Sequence, residues 1–478
     1  MNLRKPLRTA LATCLLGAGI IGNTFAATPN DAETLGKIRD AAMQDDWAYQ
    51  RLEDLTDLVG PRLSGSPGAA AAVEQVADAM RKLGAKVTLQ PVKVPHWVRG
   101  EEKGEIVDYK GRPANITQKV VLTALGGSGA TPAAGLSANV IVIRDFDELK
   151  ARAAEVKGNI VLFDVAFDQA MADRGLAGPA YGRGSNFRTN GPRQAAELGA
   201  VAALVRSVGG ANFRLPHTGF TALTDGKRIP AAAVSAEDSM LIARLSKRGP
   251  VTLKLTVTPQ MLPEADSFNV IADLPGSEKP EEVVIVSGHL DSWDLATGAH
   301  DDATGVTGAM AVIKTLNQLG LKPRRTIRVV AWMNEESGGR GGDAYHKANK
   351  ATLDKQIAAI ESDGGAGRSF GFQASVRPQY EKLFAPLQKS LVPIGAGVFQ
   401  RRDVMGAGDL HAMEADGVPT FQPLVDTSAY FNWHHTAADT FDKVNPDDVK
   451  RHVAVLSTMS WYLANMDEAI GRAPEQFK

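Results

Sequence analysis

A single cysteine, Cys14, stands in 478 residues, and it falls in an amino-terminal stretch that reads as a leader. With the leader removed, the chain has no disulfide, no thiolate metal ligand and no cysteine nucleophile. Any metal site must then use His, Asp and Glu. An excess of one charge is missing too. Lys and Arg number 53 against 54 Asp and Glu, a formal net charge of −1, and no long basic run offers nucleic acid an electrostatic footprint. Beyond the leader no apolar run is long enough to span a bilayer, so no membrane partner is expected for the mature form. An enzyme or a ligand-binding protein remains. The 44% hydrophobic and 22% charged residues are those of a soluble globular chain, and its length predicts two or three domains.

The leader has Arg4, Lys5 and Arg8, then a small and apolar stretch over 10–21, then Thr24-Phe25-Ala26 as a small-x-small cleavage signal. Gly17, Gly19 and Gly22 break the stretch and argue against a membrane anchor. The expectation is a signal peptide over 1–26 and export to the periplasm or the extracellular space.

Apolar periodicity predicts helices over 31–58 and 69–83 and a strand over 86–94. From about 119 the texture changes to short strand-like runs at 120–122, 140–143, 160–163, 202–205, 231–234 and 251–257. Glycine-rich loops separate them, with helices expected over 147–156 and 192–198. Pro192 suits the first helical position. Residues 119–257 therefore read as a β-rich insert without catalytic residues. Its one chemical hint is Pro216-His217-Thr218-Gly219, and a lone loop histidine is expected to be structural. Strands then alternate with amphipathic helices: 283–286, 326–331 and 357–360 against 304–319, 342–349, 378–391 and 446–466. That rhythm predicts an α/β fold with a mostly parallel central sheet flanked by helices. The expected organisation is a catalytic domain in two parts, 27–118 and 258–478, around the insert.

The chemistry gathers where the predicted strands run out. The first is followed by His289 and Asp291, then Asp301 and Asp302. The second leads to Glu335 and Glu336, and the third to Asp363. Open α/β sheets bind ligands outside the carboxyl ends of their strands. An Asp-Asp before a helix is usually a cap, and a Glu pair is usually solvated surface. Here, however, Glu335 and Glu336 follow the apolar run 329–333. Carboxylates at the ends of buried strands need a metal or a partner to offset their desolvation. Hard oxygen ligands beside an imidazole point to a hydrolytic metal centre.

HLDS with an Asp-Asp beginning at 301, an adjacent Glu pair, an ESD and a late HT..DT together resemble the co-catalytic di-zinc exopeptidase family of aminopeptidases and glutamate carboxypeptidases. SGHLDSWD, ESDGG, PHTG and WHHTAADT resemble its plasma glutamate carboxypeptidase type over nearly the whole mature chain. The resemblance implies two Zn2+ ions, one held by His289 and Asp363, the other by Glu336 and a late histidine, with Asp301 bridging both. His434 and His435 are adjacent. In the family the ligand stands four residues before an acidic residue, which points to His435 with Asp439. His434 then takes a place where relatives often carry a tyrosine, and is expected to donate to a developing oxyanion. Glu335 is expected to be the general base. Asp291 should orient the His289 imidazole, and Trp293 should either wall the pocket or pack in the core. Asn334 stands where relatives have a small residue. Gly406–His411, with Asp409, either lines the pocket or forms a simple turn.

The resemblance also implies a protease-associated insert, a homodimer, and hydrolysis of short unblocked peptides in dipeptidase or carboxypeptidase fashion. An aminopeptidase acting on longer peptides stays open. A large insert ahead of His289 separates the chain from di-zinc deacetylases whose lid follows the Glu pair. A non-catalytic binding protein on the same fold would be expected to have lost ligands or the base.

Overall fold

The computed structural model describes residues 30–210, 212–223, 228–406, 408–468 and 470–472. The expected signal peptide, with Cys14, lies outside the described residues. After β1 (Lys86–Val98) the chain leaves for a second sheet. That sheet contains β2 (Glu102–Tyr109), β3 (Gln118–Val120), β4 (Leu122–Ala124), β5 (Leu136–Ile143), β6 (Ile160–Phe163), β7 (Ala202–Arg206), β8 (Ala231–Val234) and β9 (Val251–Val257). It then returns to the first sheet with β10 (Gln260–Leu274), β11 (Lys279–His289), β12 (Arg325–Trp332), β13 (Gln356–Glu361), β14 (Ser369–Ser375), β15 (Val398–Arg402) and β16 (Thr420–Val425).

The first sheet has the order β1-β10-β12-β11-β13-β16-β14-β15. Its middle strands β12, β11, β13 and β16 run parallel, as expected, while β10 and β14 join them antiparallel. Parallel strands covered on both faces need apolar side chains on both. Val284 and Val286 enter a core with the helices Thr304–Gln318 and Pro446–Ala464, whereas Val283 and Ile285 meet Trp332, Tyr345 and Leu410 on the other face. Burying each such side chain contributes about 1.5–3 kcal/mol. Polar and charged residues therefore collect where these strands end.

Three expectations need correction. The insert does not begin at 119: β2 pairs with β9 along its length, so the second sheet starts just after β1. The strand expected over 86–94 is the first part of β1, and residues 102–109, for which no element was expected, form β2, whose sheet is decided by a partner far along the chain. The insert carries an eight-stranded sheet, but its helix is longer than expected: β5, β6, β7 and β8 run parallel and pack with the helix Ala177–Glu197 where 192–198 was expected. Pro192 lies inside that helix rather than at its start. The glycines that hid the helix let it approach the sheet: a Cβ at Gly191 would stand 2.7 Å from the Phe163 ring, and one at Gly184 2.7 Å from Val208.

Candidate metal centre

Three neighbouring parallel strands aim their carboxyl ends at one point. β11 ends on His289, β12 is followed by Glu335 and Glu336, and β13 by Asp363. Asp301 comes from the loop ahead of the helix Thr304–Gln318, and His435 follows the short helix Tyr430–Trp433 with a left-handed φ of 61°. The Asp301 carboxylate stands in the middle. Its Oδ1 lies 3.0 Å from His289 Nε2, which is 3.6 Å from Asp363 Oδ1. Its Oδ2 lies 3.2 Å from His435 Nε2, which is 3.0 Å from Glu336 Oε2. One carboxylate thus faces two separate His–carboxylate pairs. His434 stacks on His435 with ring centres 3.7 Å apart. Its Nε2 stands 3.4 Å from Asp301 Oδ2, but of the two only His435 pairs with Glu336.

The surrounding residues fix these positions. Asp302 is a clamp: its Oδ2 accepts from the His289 N–H at 3.0 Å and its Oδ1 from the Gly305 N–H at 3.0 Å, tying strand end to helix start. Gly305 cannot carry a side chain, since a Cβ would lie 2.0 Å from the Ser362 carbonyl oxygen. Asp439 accepts from the His300 and Asp301 backbone N–H groups at 2.7 and 3.1 Å. Arg62, wholly buried, donates to the carbonyls of Leu290, Thr297 and Gly298; burial brings its pKa down to about 10. His435 is oriented from the second sheet. Its Nδ1 lies 3.1 Å from the Thr218 carbonyl, and the Thr218 N–H donates to the His435 carbonyl at 2.9 Å. The PHTG stretch is therefore part of the centre's support, through its backbone. His217 itself is buried, with its pKa driven down to about 3 mainly by burial.

Asp291 acts differently from the expectation. The group that receives His289 Nδ1 is the Asp291 backbone carbonyl, at 2.9 Å, while its carboxylate is 4.0 Å away. The carboxylate turns instead to the Glu335 loop. Its Oδ1 accepts the N–H groups of Asn334 and Glu335 at 2.7 and 3.0 Å, and its Oδ2 the Ser64 hydroxyl at 2.9 Å. Two converging N–H donors outcompete an imidazole already satisfied by a carbonyl. Asn334 has a φ of 79°, a conformation in which Asn is enriched. Asp409 does not line an open pocket. It is buried, its Oδ1 3.3 Å from the Gly342 nitrogen and its own N–H on Glu361 Oε1 at 2.9 Å. Its neighbour Gly408 leaves room for Glu335, whose Oε1 would lie 2.7 Å from a Cβ there. Trp293 packs with Trp97, Leu63 and Ala124, and its ring centre lies 5.8 Å from that of His435.

The donor set suits a divalent cation. Asp301 Oδ2 and Glu336 Oε1 are buried with no hydrogen-bond partner. Burial, then the charges of Asp363, Glu336 and Asp301 against His289, pushes Glu335 well above the usual carboxylate range. Burial likewise raises Glu336 and Asp363. Against the desolvation that pushes it up, the imidazoles of His434, His289 and His435 hold Asp301 well below that range. Against burial again, neighbouring carboxylates raise His289 and His435 well above the ordinary imidazole value. A spot that draws positive charge this strongly, from imidazole and carboxylate donors without sulfur, matches hard or borderline divalent ions. Beside Asp363 opens a cavity of about 300 Å³, reaching Tyr430 and the edge strands of the sheet.

A buried His and carboxylate cluster at the carboxyl ends of parallel strands defines a metal-dependent hydrolase. Residues 269–460 match the model of peptidase family M28. Human carboxypeptidase Q is 33% identical over 468 residues, covering 95% of this chain and 94% of its own. The crystal structure of a peptidase M28 precursor from Shewanella amazonensis SB2B superposes with a TM-score of 0.87 at 36% identity, over 93% of this chain and 99% of that one. A zinc aminopeptidase from Bacillus subtilis shares the fold, with a TM-score of 0.64 at 18% identity over 90% of this chain and 98% of its own. The chain belongs to peptidase family M28, and it is a metallo-exopeptidase.

Proposed function

We propose that the chain is a zinc-dependent exopeptidase of short unblocked peptides, behaving as a dipeptidase or carboxypeptidase. The observation that carries this reading is the two-sided Asp301 carboxylate, with His289 and Asp363 on one side and His435 and Glu336 on the other. In this reading His289 and Asp363 would hold one Zn2+, Glu336 and His435 would hold a second, and Asp301, between the two pairs, would serve both. Zinc bound there supplies Lewis acidity to the scissile carbonyl and lowers the pKa of water. The name of the Bacillus subtilis enzyme supports zinc, and that of the human relative supports carboxypeptidase behaviour.

Glu335 takes the proton of the attacking water and passes it to the leaving amine nitrogen. Asp291 holds the turn that aims Glu335. His434, walled by Tyr181, Tyr430 and Phe431, donates to the developing oxyanion. The same reading takes residues 1–26 as a signal peptide exporting the chain to the periplasm or beyond. It takes the second sheet as a protease-associated domain and a homodimer as the working assembly.

Metal analysis with a peptide panel tests this. Two zinc ions per chain and rapid cleavage of free dipeptides, with N-blocked dipeptides resistant, are expected. Rapid stepwise release of amino-terminal residues from long peptides would make it an aminopeptidase. Zinc-loaded protein that cleaves none of them would overturn the reading.

A further inference from the structure

The loop between β13 and β14 carries Asp363 and then reads Gly364-Gly365-Ala366-Gly367. Three glycines in four residues give the turn a wide choice of backbone conformations and much entropy to lose on folding. Close packing requires them. Gly365 has a φ of 76°, and a Cβ there would stand 2.5 Å from the Tyr430 ring and 3.2 Å from His300 Nδ1. A Cβ at Gly367 would lie 2.0 Å from the Asp426 carbonyl oxygen. Stiffness that this sequence gives up has to come from a neighbour. Among the described residues the backbone of 363–367 makes one hydrogen bond: the Ala366 N–H donates to His300 Nδ1 at 3.1 Å.

His300 is itself held from several sides. Its backbone N–H donates to Asp439 Oδ1 at 2.7 Å. Its ring is buried, 4.9 Å from that of Trp433 on the short helix ahead of His434 and His435. A backbone N–H can only donate, so Nδ1 is the bare nitrogen and Nε2 carries the hydrogen. Nε2 faces the Lys443 carbonyl at 3.3 Å. Both ring nitrogens are thus spent on backbone groups, and this histidine, next to Asp301 in the chain, is turned away from the His–carboxylate cluster. It joins the loop of the central carboxylate to the loop of Asp363.

We infer that His300 is a positioning residue: its Nδ1 pins the glycine-rich turn at Ala366 and so fixes Asp363 against His289 and Asp301. This rests on the two-zinc reading above and adds to it a residue outside the ligand set. The two halves of the centre depend on this contact unequally. Asp363, 3.6 Å from His289 Nε2, stands at the head of the pinned turn. Glu336 follows β12, and His435 is oriented by the Thr218 carbonyl. Cutting the Ala366 bond therefore loosens the zinc of His289 and Asp363 and spares the zinc of Glu336 and His435.

Two substitutions separate the ring nitrogens. His300→Asn places an amide oxygen where Nδ1 stands and keeps the acceptor for Ala366. His300→Gln places an amide nitrogen near Nε2, keeps the Lys443 contact and offers Ala366 nothing. Both remove the ring that packs on Trp433, so that loss cancels in the comparison. Amide hydrogen exchange is read by mass spectrometry on a peptide spanning 361–368, in the protein as purified. The Ala366 amide should exchange about tenfold faster in His300→Gln than in the wild type, with His300→Asn close to the wild type. In competition with a chelator, His300→Gln should weaken one zinc ion about 10- to 100-fold and the other less than about threefold, with His300→Asn restoring the first. Equal exchange in the two variants, a rise across the whole chain in His300→Gln, or zinc affinities that fall alike in both would overturn the inference. A wild type that binds a single zinc would count against the two-zinc reading instead, since the exchange comparison needs no metal count.

Discussion

The two sheets share a plan and differ in what stands at their strand ends. Each has four central parallel strands with antiparallel strands joined to them. In the second sheet β6 leads into Asp164, whose Oδ1 is 3.2 Å from Arg206 Nη1 and accepts the Ser239 hydroxyl at 2.9 Å. β8 leads into Ser235, which caps the helix Ala236–Ser246. The charge placed there is cancelled on the spot. In the first sheet β11, β12 and β13 deliver one imidazole and three carboxylates, and among the described residues no lysine or arginine pairs with them. Parallel topology makes a crevice in both sheets; uncompensated charge turns one crevice into a metal site.

If that contrast is right, withdrawing the cation should have the largest effect. Chelation should reduce turnover to background and lower the thermal midpoint, since an ion that binds only the folded state at a hundred times its Kd adds about 2.7 kcal/mol. Zinc should restore both; activity that survived complete metal loss would break the contrast. Glu335→Gln comes next, with kcat falling about 10²- to 10⁴-fold and zinc content unchanged by elemental analysis. Asp291→Ala should lower kcat by about 10- to 100-fold, as supporting groups of metal centres typically do. Because its carboxylate holds the Glu335 turn, kcat should suffer more than zinc affinity. The reverse would return Asp291 to the His289 imidazole.

Much of the first sheet was legible because burial on two faces writes itself as unbroken Val and Ile runs, as in 283–286. A charged residue straight after such a run has few structural excuses, and that exposed His289, Glu335, Glu336 and Asp363. Backbone groups leave no such mark. Nothing in the sequence distinguishes the Asp291 carbonyl, which takes His289, from its carboxylate, which takes the Glu335 turn. Nor does PHTG announce that Thr218 supplies a carbonyl to His435. Arg62 is buried on three distant carbonyls, which no local pattern marks. The insert boundary failed for the same reason: only pairing with β9, about 150 positions on, assigns residues 102–109 to the second sheet.

Acid should strike the first sheet through its core. His452, on the helix Pro446–Ala464, is buried with Nε2 2.7 Å from Ser362 Oγ and Nδ1 3.2 Å from Ser369 Oγ. Burial lowers its pKa from 6.5 to about 4. The unfolded chain therefore binds its proton more readily. The stability this provides is complete above pH 6.5 and is lost as pH falls toward 4. By pH 5 the loss should be on the order of 2 kcal/mol. Thermal midpoints of the wild type and His452→Gln measured from pH 7 to 5 should converge; parallel curves would remove His452 from the account.

The smallest effect is the one that tests the second sheet. Asp164→Asn keeps an oxygen for the Ser239 hydroxyl but removes the charge facing Arg206, so stability should fall by about 1 kcal/mol. Because that charge is neutralised within the second sheet, kcat, KM and zinc content should stay within about twofold of the wild type. Thr218 does join the second sheet to His435, through backbone hydrogen bonds on a different loop. A fall in zinc affinity with Asp164→Asn would mean that the strand ends of the second sheet are coupled to the centre through that loop. The two crevices would then be parts of one device rather than a site and its scaffold.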